Sequence, residues 1–430
     1  NVCIARFYND LIAQSDHPLP TQSVDPDYRA SIDGFPVRLR VNGMFAGIYT
    51  MNIDRYGHEC YGYSASRKDI AYEIANNSDQ FDLSGSQEDI KTRISTGFKY
   101  RYHYADEGLV TDKVTNGDTL NMASGLHDDL MTLVTWTGGS DGTEFQGNFK
   151  NHWATKNMID YHLLTLAFGM VDSFMKNMVI ASFGTSQDAD GNTTRIWYPL
   201  MYDGDTSLGL NNQGQLIETP GCDTMWNGIE FGNYDGYHSQ LWEKLNLNFA
   251  QEIKDRYSEL RRTGWFTVDK MMSYIYTDVI AKVGQKFYNE DMKYKYQENA
   301  EKLDKRDFCR GTREEFTRRW LYERLSYLDS RFQVGDEALT TAVIRSNVTS
   351  VLSLTIETYH PQWVSVKFMD NTPPVYKRLN ANTPVTFSSM ESPDIPGGLV
   401  TNPVNKNITI KCVSNIKVLD GIMDLRQSEI

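Results

Sequence analysis

Apolar and polar positions along the chain divide it into stretches with distinct periods. Val2 to Ala13 (VCIARFYNDLIA) places Ile4, Tyr8, Leu11 and Ile12 on one face at helical spacing, which predicts an amphipathic helix. Asp16 to Asp27 is rich in Pro, Ser and Asp and reads as a loop. In PVRLRVNGMFAGIYTMNID, Val37, Leu39 and Val41 alternate with Arg38 and Arg40, Asn42-Gly43 follows, and Phe45 to Ile53 returns. That is a β-hairpin, since Asn-Gly takes the φ > 0 geometry of a two-residue turn at low cost. After Arg67-Lys68-Asp69 comes a further strand-like run, IAYEI, and a polar loop from Asn76 to Gln87. Asp89 to Tyr104 sets Lys91, Arg93, Lys99, Arg101 and His103 among tyrosines and is expected to be a solvated face, an anion contact being the alternative. Leu126 to Trp136 predicts a short helix closed by Gly138-Gly139, with Asp128 and Asp129 as helix-start acids rather than a metal group with His127.

The most informative stretch runs from Asp160 to Gly209. The apolar, helix-like DYHLLTLAFGMV leads into Asp172-Ser-Phe-Met-Lys-Asn177. A strand-like MVIASF follows, then a polar loop with Asp190-Gly191-Asn192, then RIWYPLMY and Asp203-Gly204-Asp205. Asp190-Gly191 is a hairpin turn signal, and closure of that hairpin brings Asp203 and Asp205 back toward Asp172 and Asn177. Three carboxylates and an amide oxygen at one hairpin end suit a hard divalent cation such as Mg²⁺. The plainer alternative is that Asp172 caps a turn and the other two are loop acids.

Downstream, Leu210 to Tyr237 is a Gly- and Asn-rich irregular loop, and Ser239 to Phe332 is mostly helical. In the last helix Phe316, Trp320, Leu321, Leu325, Leu328 and Phe332 line one side, while Arg313, Arg318 and Arg319 mixed with Glu314 and Glu315 read as a solvated face. Gln333 to Leu339 is a linker. Beyond it SVLSLTIETY, WVSVKFM, TPVTFSS and ITIKCVS alternate with period two between Asn, Pro and Gly, which predicts a separate β-sandwich-like module for contact rather than chemistry. The final NIKVLDGIMDL reads as the start of a further unit.

Composition narrows the classes. At 430 residues the chain can bury a full core and form two or three domains. A net charge of −13 runs against nucleic-acid binding, which rests on neutralising phosphates with Lys and Arg. The 25 tyrosines suit a partner-contacting surface. Five scattered cysteines without metal spacing predict free thiols and no zinc. No apolar run is long enough to span a bilayer, and no signal peptide is visible. With no initiator Met and an immediate helix, the chain reads as a piece of a longer polypeptide. Sequons stand at Asn76, Asn192, Asn347 and Asn407.

A base, a metal-holding amide and a metal-holding carboxylate are what phosphoryl transfer asks of a protein. Kinases space the first two as D-x-x-x-x-N and place the metal-binding Asp after a strand pair. Asp172 and Asn177 have that spacing, and Asp205 follows the hairpin. On four stretches the chain resembles the CotH family of spore-coat-type atypical kinases: VRLRVNGMFAGIY, MIDYHLLTLAFGMVDSFMKN, WYPLMYDGDTSLG and FAQEIKDRYSELR, in family order over residues 1–332. The resemblance implies an α+β, bilobal, protein-kinase-like domain. Its small β-rich lobe would span residues 1–145 and its larger helical lobe, with the active site, 146–335. The β-rich contact module would span 343–430. By the same resemblance Asp172 is the catalytic Asp, Asn177 a metal ligand, Asp205 the principal metal-binding Asp and Asp203 its support, with Mg and ATP as cofactors.

The chain departs from the family in the small lobe. Asn52-Ile53 stand where the family has a Glu and a second charged residue, and no Lys occupies a clear phosphate-pairing position. Arg55, Arg67 and Lys68 are the candidates, and Glu73 lies where the family often places an acidic residue or a Lys. An incomplete phosphate clamp would lower or abolish transfer, which depends on positioning and charge stabilisation. Two functions are therefore weighed. One is a Mg/ATP-dependent kinase acting on Ser or Thr hydroxyls of a protein substrate. The other is a non-catalytic structural or adhesion component among neighbouring subunits of a virion or other surface assembly. A carbohydrate-active enzyme using Asp203 and Asp205 as an acid pair is the third and weakest reading.

Overall fold

The computed structural model describes residues 1–53, 58–76, 79–106, 114–170, 172–173, 176–187, 193–210, 233–234, 237–291, 313–332, 334, 340–345, 353–358, 362–368, 375–380, 382–388, 407–412, 416–421 and 428–429. The chain is α+β and divides into two compact units, residues 1–257 with 271–328, and residues 258–270 with 329–430. Most of the predicted loop from Leu210 to Tyr237, and Arg55, lie outside the described residues.

In the first unit, α1 (Val2–Ala13) forms over the predicted span. It buries Val2, Ala5, Phe7 and Asn9 as well as the expected face. Phe7 packs edge-on against Phe168 at 5.2 Å between ring centroids, and the Tyr8 hydroxyl donates to the Pro199 carbonyl at 3.1 Å. The predicted hairpin is β1 (Gly34–Val41) and β2 (Met44–Asn52), turning through Asn42 and Gly43 at φ 50° and 82°. Four further strands make one antiparallel sheet: β3 (Ile70–Ile74), β4 (Phe98–His103), β5 (Met178–Ser182) and β6 (Tyr198–Met201), in the order β6-β5-β3-β4. Two of these strands precede residue 146 and two follow it. All five residues of β3 and of β5 are buried, which is why both read as largely apolar, with Glu73 and Ser182 as the exceptions.

The segment from Asp89 to Tyr104 is not one solvated basic face. It splits into α2 (Gln87–Gly97), started by a capping box between Ser86 and Asp89, and strand β4. Tyr72 pairs with Tyr100 and Ala71 with Tyr102, so Arg101 is the extra residue of a β-bulge, and it is buried. His103 is buried too. Helices α3 (Asp128–Gly139) and α4 (Gly142–Asn148) follow, then α5 (Thr155–Phe168).

Helix α5 positions the site, and every residue from Asn157 to Phe168 is buried. Its polar members are matched individually. Asp160 receives Arg256 Nε and Nη2 at 2.7 and 2.8 Å and meets His17 Nε2 at 2.9 Å. A buried carboxylate is tolerable only when paired in this way. The helix stops at Phe168, short of the predicted run, because Gly169 adopts the left-handed cap at φ 57°.

Helices α6 (Gln240–Asn248), α7 (Ala250–Arg262), α8 (Val268–Ile275) and α9 (Arg313–Arg331) lie in the predicted helical region, of which 292–312 is outside the described residues. In α9, Phe316, Trp320, Leu321, Leu325 and Leu328 are buried as their spacing predicts. Arg318, expected in solvent, is also buried: it donates to Glu314 Oε1 at 3.2 Å and to the Tyr276 hydroxyl at 3.1 Å.

The second unit contains the β-module. Its strands are β7 (Thr340–Arg345), β8 (Ser353–Thr358), β9 (Gln362–Lys367), β10 (Val375–Leu379), β11 (Val385–Ser388), β12 (Asn407–Cys412), β13 (Ile416–Gly421) and β14 (Ser428–Glu429). They form two antiparallel sheets, β10-β9-β12-β7-β14 and β11-β8-β13. One apolar core joins them, with Leu354, Ile356 and Phe387 from the smaller sheet against Val364, Val366 and Ile410 from the larger. The run NIKVLDG does not open a further unit, because its Ile416–Gly421 pairs with β8 and Val418 packs on the same core. No helix among the described residues is long and apolar enough to cross a membrane.

Candidate functional site

The C-terminus of α5, the start of β5 and the end of β6 bring two acidic loops to one end of the four-stranded sheet. In register, Met178 of β5 stands opposite Met201 of β6, and Val179 opposite both Leu200 and Glu73. Asn177 therefore lies one residue before the paired strand and Asp203 two residues beyond its partner. The sequence reading required this hairpin closure, and the backbone holds it. Asn177 N–H donates to the Ile74 carbonyl at 3.0 Å and the Asp203 N–H to the Asn177 carbonyl at 3.5 Å. Asn177 is in the left-handed region at φ 58°, a conformation that Asn accepts more readily than most residues.

The first loop is tied to the second through Ser173, whose hydroxyl donates to the Asp203 carbonyl at 2.5 Å, while the buried Tyr161 hydroxyl of α5 donates to the Ser173 carbonyl at 2.7 Å. Asp172 Oδ2 accepts from Asn177 Nδ2 at 3.1 Å and faces Lys176 Nζ at 3.0 Å. The amide nitrogen of Asn177 is thus committed to Asp172, which leaves its oxygen as the available donor atom to a cation. The second loop closes back on the helix, since Leu208 N–H donates to the Phe168 carbonyl at 2.7 Å and so satisfies a terminal carbonyl of α5. Gly204 packs closely: a Cβ there would come within 2.5 Å of the Met201 methyl and 3.1 Å of the Met170 methyl, so those side chains would have to shift.

Electrostatics mark Asp203. Burial, then the charge of Asp205, and more weakly that of Asp172, push its carboxyl above the ordinary carboxylate range. Its Oδ1 accepts from Asn1 Nδ2 at 2.8 Å. Asp205 itself is exposed. The buried Thr206 hydroxyl, next in the chain, has no hydrogen-bond partner among the described residues. Among those residues no group of three or more His, Cys, Asp or Glu is gathered closely enough to hold a metal ion by itself. The donors present are all hard oxygens, which suits a cation that keeps waters and shares its shell with a ligand's phosphates.

Of the clamp candidates, Lys68 does not share this end. Lys68 is exposed, has φ 63° and precedes the first residue of β3, whereas Asn177 bonds at the last. At about 3.3 Å per residue the two ends are roughly 15 Å or more apart. Glu73 is next to Ile74 but is buried and paired with the Arg101 guanidinium. Arg101 also lies 5.9 Å from the ring centroid of Tyr202, the residue that leads into Asp203. The sequence reading had put Arg101 in solvent, and no periodic signal could have placed it, because a bulge breaks the alternation that such readings use. The Lys176 contact had no sequence signal, because Asp172 and Lys176 lie beyond the end of α5, where i, i+4 spacing does not by itself bring side chains together. Comparison with known proteins adds no assignment to this geometry: no family model matches the chain and no curated protein matches it.

Proposed function

We propose that this chain is a Mg/ATP-dependent phosphotransferase with a bilobal, kinase-like first unit and an appended β-sandwich for partner contact. The observation that carries the reading is the joining of the Asp172–Asn177 loop to the Asp203–Asp205 loop through Asn177 and Ser173. In this reading Asp172 orients and deprotonates the attacking Ser or Thr hydroxyl, with Lys176 and Asn177 holding its carboxylate in place. The Asn177 amide oxygen, Asp205 and Asp203 would hold the metal, and the Thr206 hydroxyl is a further oxygen at that loop. Bound there, Mg²⁺ supplies neutralisation of the phosphate charge. The raised carboxyl of Asp203, which burial and then the charge of Asp205 cause, supports this assignment, because a bound cation would offset both.

A specific observation favours the non-catalytic alternative. Glu73, at the position where the family often places an acidic residue or a Lys, is locked to Arg101 inside the sheet and leaves neither side chain free to pair with a phosphate. Under that reading the same fold is a building block of a surface assembly. Nucleotide binding separates the two. Mg-ATP should raise the melting temperature of the wild type and not of Asp205→Ala, with about 2.7 kcal/mol expected at a hundredfold excess over Kd. Asp172→Asn should keep the thermal shift and lose phosphoryl transfer. Absence of a shift at millimolar nucleotide would leave the structural role standing and the kinase role without support.

A further inference from the structure

The ribbon formed by β1 and β2 has two unlike faces. In register, Phe35 stands opposite Met51, Val37 opposite Tyr49, Leu39 opposite Gly47 and Val41 opposite Met44, so these side chains share one face of the pleat. The other face carries Pro36, Arg38, Arg40, Phe45, Ile48 and Thr50, and it is the one that packs inward. Phe45 meets Phe287 at 5.2 Å, Arg38 lies 4.7 Å over the same ring, and Ile48 joins the cluster of Ile280, Val283 and Tyr288. None of the ribbon's own residues on the first face is charged. Phe35, Leu39, Val41, Met44, Tyr49 and Met51 are between 40% and 74% exposed on it.

We infer that this apolar face is an interface between two copies of the chain. Six half-exposed large side chains present on the order of 600 Å² of contiguous apolar surface, at the upper limit of what monomers carry. Two copies face to face would remove about 1,200 Å² from water, where specific stable interfaces begin. Charge also decides the occupant. A partner with a polar or charged surface would bury groups this face cannot satisfy, whereas a second copy offers an equally apolar face of the same breadth. Strand addition at the β2 edge is disfavoured, because Asp291 Oδ1 already accepts the outward Ile48 N–H at 2.9 Å. What remains open is the face.

Analytical ultracentrifugation of the whole chain tests this. At tens of micromolar the wild type sediments as a dimer. Met44→Asp combined with Met51→Asp weakens dimerisation by roughly a hundredfold or more, since each charge would be buried unpaired. Melting of the monomeric unit stays unchanged, because both side chains are mainly in solvent. Leu39→Lys combined with Tyr49→Lys serves if the first pair fails to fold. A monomeric wild type overturns the inference, as does a dimer that survives both pairs. Protection of Met44 and Met51 from peroxide oxidation in a monomer also overturns it, because another part of the same chain would then cover the face.

Discussion

Replacing Glu73 with Gln leaves the Arg101 guanidinium charged inside the sheet beside a neutral amide. The cost depends on burial. An ion pair in solvent contributes about 0–1 kcal/mol, whereas removing one partner of a buried pair costs about 3–5 kcal/mol. Here Arg101 is 3% exposed and Glu73 6%, so the second regime applies. Two contacts soften the loss. Arg101 Nη1 also donates to the Tyr100 carbonyl at 3.0 Å, and the Tyr202 ring lies 5.9 Å away. The expected penalty is therefore at the lower end, about 3 kcal/mol. Removing both charges, as in Glu73→Leu with Arg101→Met, should bring stability back to within about 1 kcal/mol of wild type, because neither charge then pays for desolvation. Scanning calorimetry on the wild type, the singles Glu73→Leu and Arg101→Met, and their double gives the coupling directly. A loss under about 1 kcal/mol in Glu73→Gln would refute the buried pair. It would also leave Arg101 able to face a phosphate, which strengthens the kinase reading.

Two further outcomes follow from the buried titratable groups. His103 donates from Nε2 to the Leu126 carbonyl and accepts the Ala105 N–H at Nδ1, and His127 sits between the Val114 carbonyl and the Tyr72 hydroxyl, so both are held neutral. Burial lowers His127 and takes His103 from 6.5 down to about 4. Their contribution is fully present above pH 6.5 and is lost as pH falls toward 4, on the order of 3 kcal/mol for His103. The melting temperature should drop over that window, and His103→Gln should flatten the slope. Asp203 has the opposite sign. Its raised carboxyl contributes stability that is full below the ordinary carboxylate range and lost as pH rises through the folded value. Asp203→Asn should therefore melt higher than wild type at pH 7 without Mg²⁺ and respond less to it. A lower melting point would show that the charge is already compensated.

Local pattern carried much of the fold. The 3.6 period placed α1 and the buried stripe of α9, the Asn-Gly turn placed the β1–β2 ribbon, and the period-two runs placed β8, β9, β11 and β12, four of the eight described strands of the β-module. It failed where a side chain's fate depends on residues far along the chain. Arg101, His103 and Arg318 look like surface groups in sequence, yet each is buried with a distant or cross-strand partner. The loss of the further unit expected at Ile416 has the same cause, because only pairing with β8 shows where that strand belongs.

For the candidate site, the sequence by itself determined the donor inventory: Asp172, Asn177, Asp203 and Asp205 at the ends of one strand pair. The two apolar strand runs are local signals and they pair as expected, so the convergence of the two loops was legible too, although the Asp190-Gly191 turn lies outside the described residues. Tertiary structure alone decided the electrostatic state. Burial and neighbouring charge raise Asp203, Lys176 and Asn177 share the Asp172 carboxylate, and a β-bulge turns Arg101 inward onto Glu73. Charge is a pairwise, distance-dependent quantity, and those distances exist only once the chain has closed on itself.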